Sequence, residues 1–165
     1  MARDTLKDLA RRLGARLRRR GLKLATAESC TGGWIAQAVT SVPGSSAWFD
    51  RGWVTYSNAA KRELLGVRAQ TLLRFGAVSR EAASEMAAGA LARSRAQVSL
   101  AVTGVAGPTG GTRRKPVGTV CFAWSRRKRM PESTTRRFAG GRESVRRKSA
   151  IAALQGLLER LEETE

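Results

Sequence analysis

The chain contains no histidine. That absence removes the Ser-His-Asp triad, the Cys-His pair and every imidazole metal ligand from consideration. Cysteine is nearly absent too: Cys30 and Cys121 cannot by themselves build a structural zinc site, and nothing about them resembles a secreted disulfide framework. Acidic residues are scarce, 13 Asp+Glu against 31 Lys+Arg, for a net charge of +18. No stretch approaches the roughly 18 uncharged apolar residues of a membrane span. The N-terminal segment places Leu6, Leu9, Leu13 and Leu17 among Arg and Lys, an amphipathic helix rather than a signal peptide. A cytoplasmic protein without a membrane partner is the expectation.

A pI near 11.7 is an electrostatic invitation to nucleic acid. Aromatics, at 5%, are too few for an RNA-stacking surface, and there is no zinc-finger spacing. Nucleic acid therefore stays a possible partner without a recognition motif. The clusters Arg113-Arg114-Lys115 and Arg126–Arg129 read as solvated turns.

What is present alternates. Helix is expected over 4–19, closed by Gly21, then a buried strand over Leu22–Ala27 and a helix over Trp34–Thr40. An extended aromatic segment follows at Trp48–Tyr56. Asn58 is expected to cap a short helix, and Ser79 an alanine-rich one running to about Arg95. Strands are expected over Gln97–Thr103, Val117–Trp124 and Thr134–Phe138, and a last helix over Gly141–Leu161. The 165 residues thus predict one α/β domain, an α/β/α sandwich with helices packed on a central mixed sheet.

Three glycine-containing polar segments, Thr26–Gly33, Gly44–Ser46 and Thr103–Gly111, are expected at strand ends, where α/β folds put ligands. Their peptide N–H groups, with helix N-termini behind them, suit a phosphate or carboxylate. None is a Walker A or GxGxxG pattern. A general base must come from what remains. The 25 arginines do not deprotonate, so carboxylates and the six lysines are left. Most lysines lie in highly charged stretches. Lys61 is different, following Asn58-Ala59-Ala60 with Tyr56 just upstream. A desolvated lysine can activate a serine, and Ser29, Ser45, Ser46 and Ser57 are the candidates. Cys30, after a buried strand, suits an inert small hydrophobe better than a nucleophile.

Three segments, Thr26-Ala27-Glu28-Ser29-Cys30-Thr31-Gly32-Gly33, Pro43-Gly44-Ser45-Ser46-Ala47-Trp48-Phe49 and Val54-Thr55-Tyr56-Ser57-Asn58-Ala59-Ala60-Lys61, resemble the CinA C-terminal domain family. So do Gly76-Ala77-Val78-Ser79, Thr103-Gly104-Val105-Ala106-Gly107-Pro108-Thr109-Gly110-Gly111 and Lys115-Pro116-Val117-Gly118-Thr119-Val120. The resemblance runs over nearly the whole chain, in order, and its length is similar to that of the stand-alone nicotinamide-nucleotide amidohydrolases. It implies hydrolysis of the carboxamide of nicotinamide mononucleotide, in pyridine-nucleotide recycling, without metal or organic cofactor. It maps a serine–lysine pair onto Ser46 and Lys61, with Tyr56 in support and Ser29 as the rival nucleophile. Substrate contacts are expected from Ser29, Thr31, Gly32, Gly33, Thr103 and Gly104, with the phosphate against Thr31-Gly32-Gly33 or the last helix's start, where Arg142 could clamp it. Thr109 stands where close relatives are expected to carry Asp, and the basic clusters also depart from the pattern. A homo-oligomer is expected only because small α/β enzymes often form symmetric assemblies. A silent basic nucleic-acid-binding protein and an amidase for another amide are the alternatives.

Overall fold

A computed structural model describes residues 5–163. Five strands form one mixed sheet in the order β2-β1-β3-β4-β5. β1 (Leu24–Glu28), β2 (Phe49–Val54) and β3 (Val98–Gly104) run parallel. β4 (Thr119–Arg126) and β5 (Glu132–Arg137) follow antiparallel as a hairpin.

Strand alternation sorts the central residues into two cores. Val98, Leu100 and Val102 of β3, with Val120, Phe122 and Trp124 of β4, face one side and meet helices α1 (Thr5–Arg19), α2 (Trp34–Thr40) and α6 (Arg142–Glu162). The intervening Ala101, Cys121 and Ala123 face the other side, against α3 (Asn58–Leu65), α4 (Ala69–Phe75) and α5 (Arg80–Ala92). The first face is bulky and the second small, so the alanine-rich α5 lies close on the sheet, and Ser99 Oγ even donates to the Ala87 carbonyl at 2.7 Å. The expected α/β/α sandwich is the observed architecture. Among the described residues no helix is long and apolar enough to cross a membrane.

Most expected elements are present within two or three residues of their expected ends; position 4 of the first helix lies outside the described residues. Three readings are corrected. Ser57, not Asn58, caps α3: it is extended and its hydroxyl accepts from the Ala60 N–H at 3.0 Å, leaving Asn58 as the first helical residue. Helix α4 was not expected, because its N-terminus has no local cap. Glu85 of α5 supplies one, accepting from the Arg68 N–H at 2.9 Å and from the Thr71 hydroxyl. The basic clusters are not simply solvated. Arg127 turns inward to donate to the carbonyls of Leu91, in the last turn of α5, and of Ser94 and Ala96 just beyond it, and Lys115 donates to the Phe75 carbonyl.

Gly89, in mid-α5, shows why a poor helix former is needed there: a Cβ would run into the carbonyl oxygen of Leu65, where α3 ends on α5. Replacing Gly89 by Ala should lower stability in urea denaturation by about 2 kcal/mol, the overpacking cost exceeding the roughly 1 kcal/mol gain in helix propensity. Unchanged stability would mean that α3 can move off α5 freely.

Candidate active site

The site lies at the carboxyl ends of the three parallel strands. β1 is buried throughout and ends on Glu28, itself 1% exposed. The Glu28 carboxylate is turned onto the start of α2. It accepts from the Thr31 hydroxyl at 2.6 Å and from the N–H groups of Ile35 and Ala36 at 2.9 and 3.0 Å. Gly33, at the cap position with φ of 100°, has no side chain to do this. The turn between, Ser29–Gly33, is thus fixed from below. The Ser29 N–H donates to the Val102 carbonyl, holding the turn against β3 as well.

Next door, β2 is extended one residue by the Thr55 N–H, which donates to the Glu28 carbonyl at 2.8 Å. The chain then turns at Ser57 into α3, whose buried side carries Lys61 and, one turn on, Leu65. Lys61 Nζ reaches back under the strand ends. It lies 2.8 Å from Ser29 Oγ, 2.8 Å from the Thr55 carbonyl oxygen and 3.4 Å from that of Tyr56. Lys61 is 1% exposed and Ser29 6%. Among the described residues no carboxylate makes an ion pair with this lysine. Burial, which disfavours the ammonium form, brings its pKa down to about 8. Neighbouring Cys30 is driven the other way: burial pushes its thiol up to about 12, so it stays protonated and poorly nucleophilic.

Above the pair opens a cleft of about 290 Å³. Its walls are the Ser29–Cys30 turn, Tyr56, Lys61 and the glycine loop from Thr103 to Gly110, with Arg142 at the start of α6. Arg142 donates to the Tyr56 phenol oxygen at 2.9 Å and to the Gly107 carbonyl at 2.7 Å, bridging the two rims. Thr103 donates its hydroxyl to the Ala77 carbonyl at 2.9 Å. Among the described residues no three Cys, Asp or Glu side chains gather as a metal-binding group.

Of the residues singled out in the sequence, Ser29, Lys61, Tyr56, Thr103, Gly104 and Arg142 therefore line one cleft, together with Thr109. Thr31, Gly32 and Gly33 do not line it. The Thr31 hydroxyl is spent on Glu28, and Glu28 already occupies the N-terminus of α2 that was expected to receive a phosphate. Ser46 is not brought to Lys61. It lies exposed in a short 3-10 turn, Ser45–Ala47, which leads into the amino end of β2. Lys61 follows the carboxyl end, and six strand residues at roughly 3.3 Å each put on the order of 20 Å between them. The Gly44–Ser46 segment follows a helix and precedes a strand, so it belongs to the opposite edge of the sheet.

Two contributors escaped the sequence reading. Glu28 was noticed only as part of a motif. Arg146 donates to the carbonyls of Cys30 and Thr31 at 3.0 and 3.2 Å and stacks its guanidinium 5.5 Å from the Trp34 ring centre, pinning the serine turn to α6. The signal for it was the spacing from Arg142: four residues apart, the two arginines share one face of α6.

Residues 6–161 match the profile of the CinA C-terminal domain. The chain is 54% identical over 156 residues to a nicotinamide-nucleotide amidohydrolase PncC of Pseudomonas putida, covering 94% of this chain and 97% of that protein. It is 49% identical over 159 residues to the PncC of Escherichia coli K12, covering 95% of each. Among solved structures, a competence/damage inducible protein CihA from Agrobacterium tumefaciens superposes with a TM-score of 0.92 at 49% identity over 94% of both chains. A CinA superfamily protein from Klebsiella pneumoniae superposes equally well at 40% identity, covering 96% of this chain and 98% of that one. With one buried serine–lysine contact at the strand ends and a match over nearly its full length, the chain belongs to the CinA C-terminal domain family.

Proposed function

We propose that this protein hydrolyses the carboxamide of nicotinamide mononucleotide, releasing ammonia and the corresponding carboxylate, and that Ser29 is the nucleophile with Lys61 as its base. The observation that carries the reading is the 2.8 Å contact between Lys61 Nζ and Ser29 Oγ in a site where burial keeps the lysine pKa near 8. The names of the relatives supply the substrate.

In this reading the neutral Lys61 amine takes the Ser29 hydroxyl proton as Oγ bonds to the amide carbon. The oxyanion that forms needs N–H donors. In the Ser29–Gly33 turn the N–H groups of Ser29 and Gly32 are committed to carbonyls; of the others, those of Cys30 and Thr31 directly follow the nucleophile. As the C–N bond breaks, Lys61 returns the proton to the departing nitrogen and ammonia leaves. Water, deprotonated by the same amine, then opens the acyl ester and frees Ser29. The Thr55 and Tyr56 carbonyls are the lysine's remaining partners, and they hold Nζ in line through both transfers. With the α2 terminus filled by Glu28, the substrate phosphate goes to the cleft mouth, against Arg142 and the N-terminal N–H groups of α6. The Thr103 oxygen remains an acceptor for the carboxamide N–H.

Ammonia release from nicotinamide mononucleotide by the purified protein is the direct test. Ser29→Ala should lower kcat by at least about a thousandfold, as expected when a nucleophile is lost, whereas Ser46→Ala should retain wild-type activity. Loss in Ser46→Ala with retention in Ser29→Ala would return the nucleophile to the turn before β2. Absence of activity in the wild-type protein, with tight salt-dependent binding of DNA, would instead favour a binding role.

The base must be neutral, so kcat/KM should rise with pH and level off above about 8, following the Lys61 pKa. The same burial fixes the sign of a stability effect. A lysine whose folded pKa falls below the ordinary 10.5 binds fewer protons folded than unfolded, so stability is reduced below about 8 and recovered as pH rises toward 10.5. At about 1.4 kcal/mol per tenfold change, the penalty is about 3 kcal/mol. Lys61→Met should therefore be inactive yet unfold at a higher temperature than wild type at pH 7, with the difference shrinking as pH rises from about 8 and vanishing above about 10.5. A Lys61→Met protein less stable than wild type at pH 7 would show that the two carbonyl bonds outweigh desolvation.

A further inference from the structure

A cavity larger than the catalytic cleft lies elsewhere on the molecule. It is about 630 Å³ and lies beyond the Gly76–Val78 segment, with Val78 forming part of both walls. Arg74 comes to it from the end of α4, Arg80 from the start of α5, and Arg114 and Lys115 from the loop before β4. Three separate elements thus bring four cations to one concave space. Glu81 is the single carboxylate on its lining.

These cations are not paired elsewhere. Among the described residues Arg74, Arg80 and Arg114 form no ion pair: Arg74 rests over the Phe75 ring, and Arg80 donates to the Ser133 hydroxyl. Lys115 is held by the Phe75 carbonyl. Glu85, the next acid along α5, is already engaged by Arg68 and Thr71. The start of α5 adds the positive end of a 13-residue helix to the same wall. With one carboxylate, Glu81, beside four cations on this lining, the local charge is net positive and favours an anion.

We propose that this cavity is a binding site for a small molecule bearing a diphosphate, distinct from the catalytic cleft. Bidentate guanidinium donors from two or three directions match the oxygens of two linked phosphates better than a single carboxylate. The loop that closes the cavity with Arg114 and Lys115 also contributes Thr109 and Gly110 to the catalytic cleft, so an occupant would brace a loop shared by both. The inference does not depend on the amidohydrolase reading.

Titration calorimetry with inorganic pyrophosphate on the full chain tests it. A saturable site that persists in Arg142→Ala is expected, weakened about tenfold or more by Arg114→Ala and further by Arg74→Ala/Arg114→Ala, since each charge-assisted contact contributes on that order. All three side chains are exposed, and matched thermal unfolding of the variants shows whether the fold is kept. Arg80→Gln, on a different element, gives an independent arm and should weaken binding similarly. Arg142→Ala, which removes the phosphate contact proposed in the cleft, should leave the affinity of this second site unchanged. Absence of saturable binding, many weak equivalents unaffected by the substitutions, or loss in Arg142→Ala alone would each overturn the proposal; the last would place pyrophosphate in the cleft.

Discussion

Everything at the strand ends depends on burying one ammonium group without a counter-ion. A lysine nitrogen in an apolar interior is costly unless it is neutralised or surrounded by acceptors. Lys61 has two backbone carbonyls and one hydroxyl instead of a carboxylate. A carboxylate would have held it protonated. Neutral acceptors leave the proton loosely held, and burial does the rest. The Thr55 carbonyl is available because the sheet pairing ends on this residue, whose own N–H makes the last parallel-sheet bond, to Glu28. The Ser57 cap then turns the chain so that the lysine, four residues on, points back beneath it. A strand end, a cap and a helical turn are thus the device that lowers the pKa.

Glu28 is the counterpart of that arrangement. It is the acid nearest in sequence to Ser29, and it could have neutralised the lysine. Three hydrogen bonds turn it instead onto the start of α2. A chain with 13 acidic residues and +18 net charge has few carboxylates to place inside. Two of them, Glu28 and Glu85, are used alike, each closing the N-terminus of a helix of seven residues that has no cap of its own. Such helices are too short to persist alone. The arginine excess serves the complementary ends: Arg127 satisfies carbonyls in the last turn of α5 and just beyond it, and Arg20 donates to the Leu161 carbonyl near the end of α6.

What could be read from the sequence divides along the same line. Periodicity located the strands and longer helices because their burial pattern is local. The proposed base was legible because absence narrowed the choice: without histidine, and with most lysines in charged stretches, Lys61 stood out. The family resemblance was legible in whole motifs. The partner serine was not, because Ser29 and Ser46 sit in equally glycine-rich segments and only the direction of the chain through the sheet separates them. Ser29 follows β1, whereas Ser46 precedes β2. Likewise α4 and the Glu28 clamp rest on contacts between distant residues or across a turn, which no propensity records.

Chain direction also explains why the site sits where it does. In a parallel set the carboxyl ends of neighbouring strands come together, so loops after β1, β2 and β3 meet without any one of them being long. The serine is on the first, the lysine's acceptors on the second, and the glycine loop on the third. α6, returning from the antiparallel hairpin, brings Arg142 and Arg146 across the first and third of these loops. The lysine and serine are therefore held by four segments distant in sequence, and shifting any of them by one residue would separate Nζ from Oγ. The short, exposed turn at Ser46 has no such support. A hydroxyl there would have to find a base at the amino edge of the sheet, where neither the buried lysine nor the uncommitted peptide N–H groups beside Ser29 can reach it.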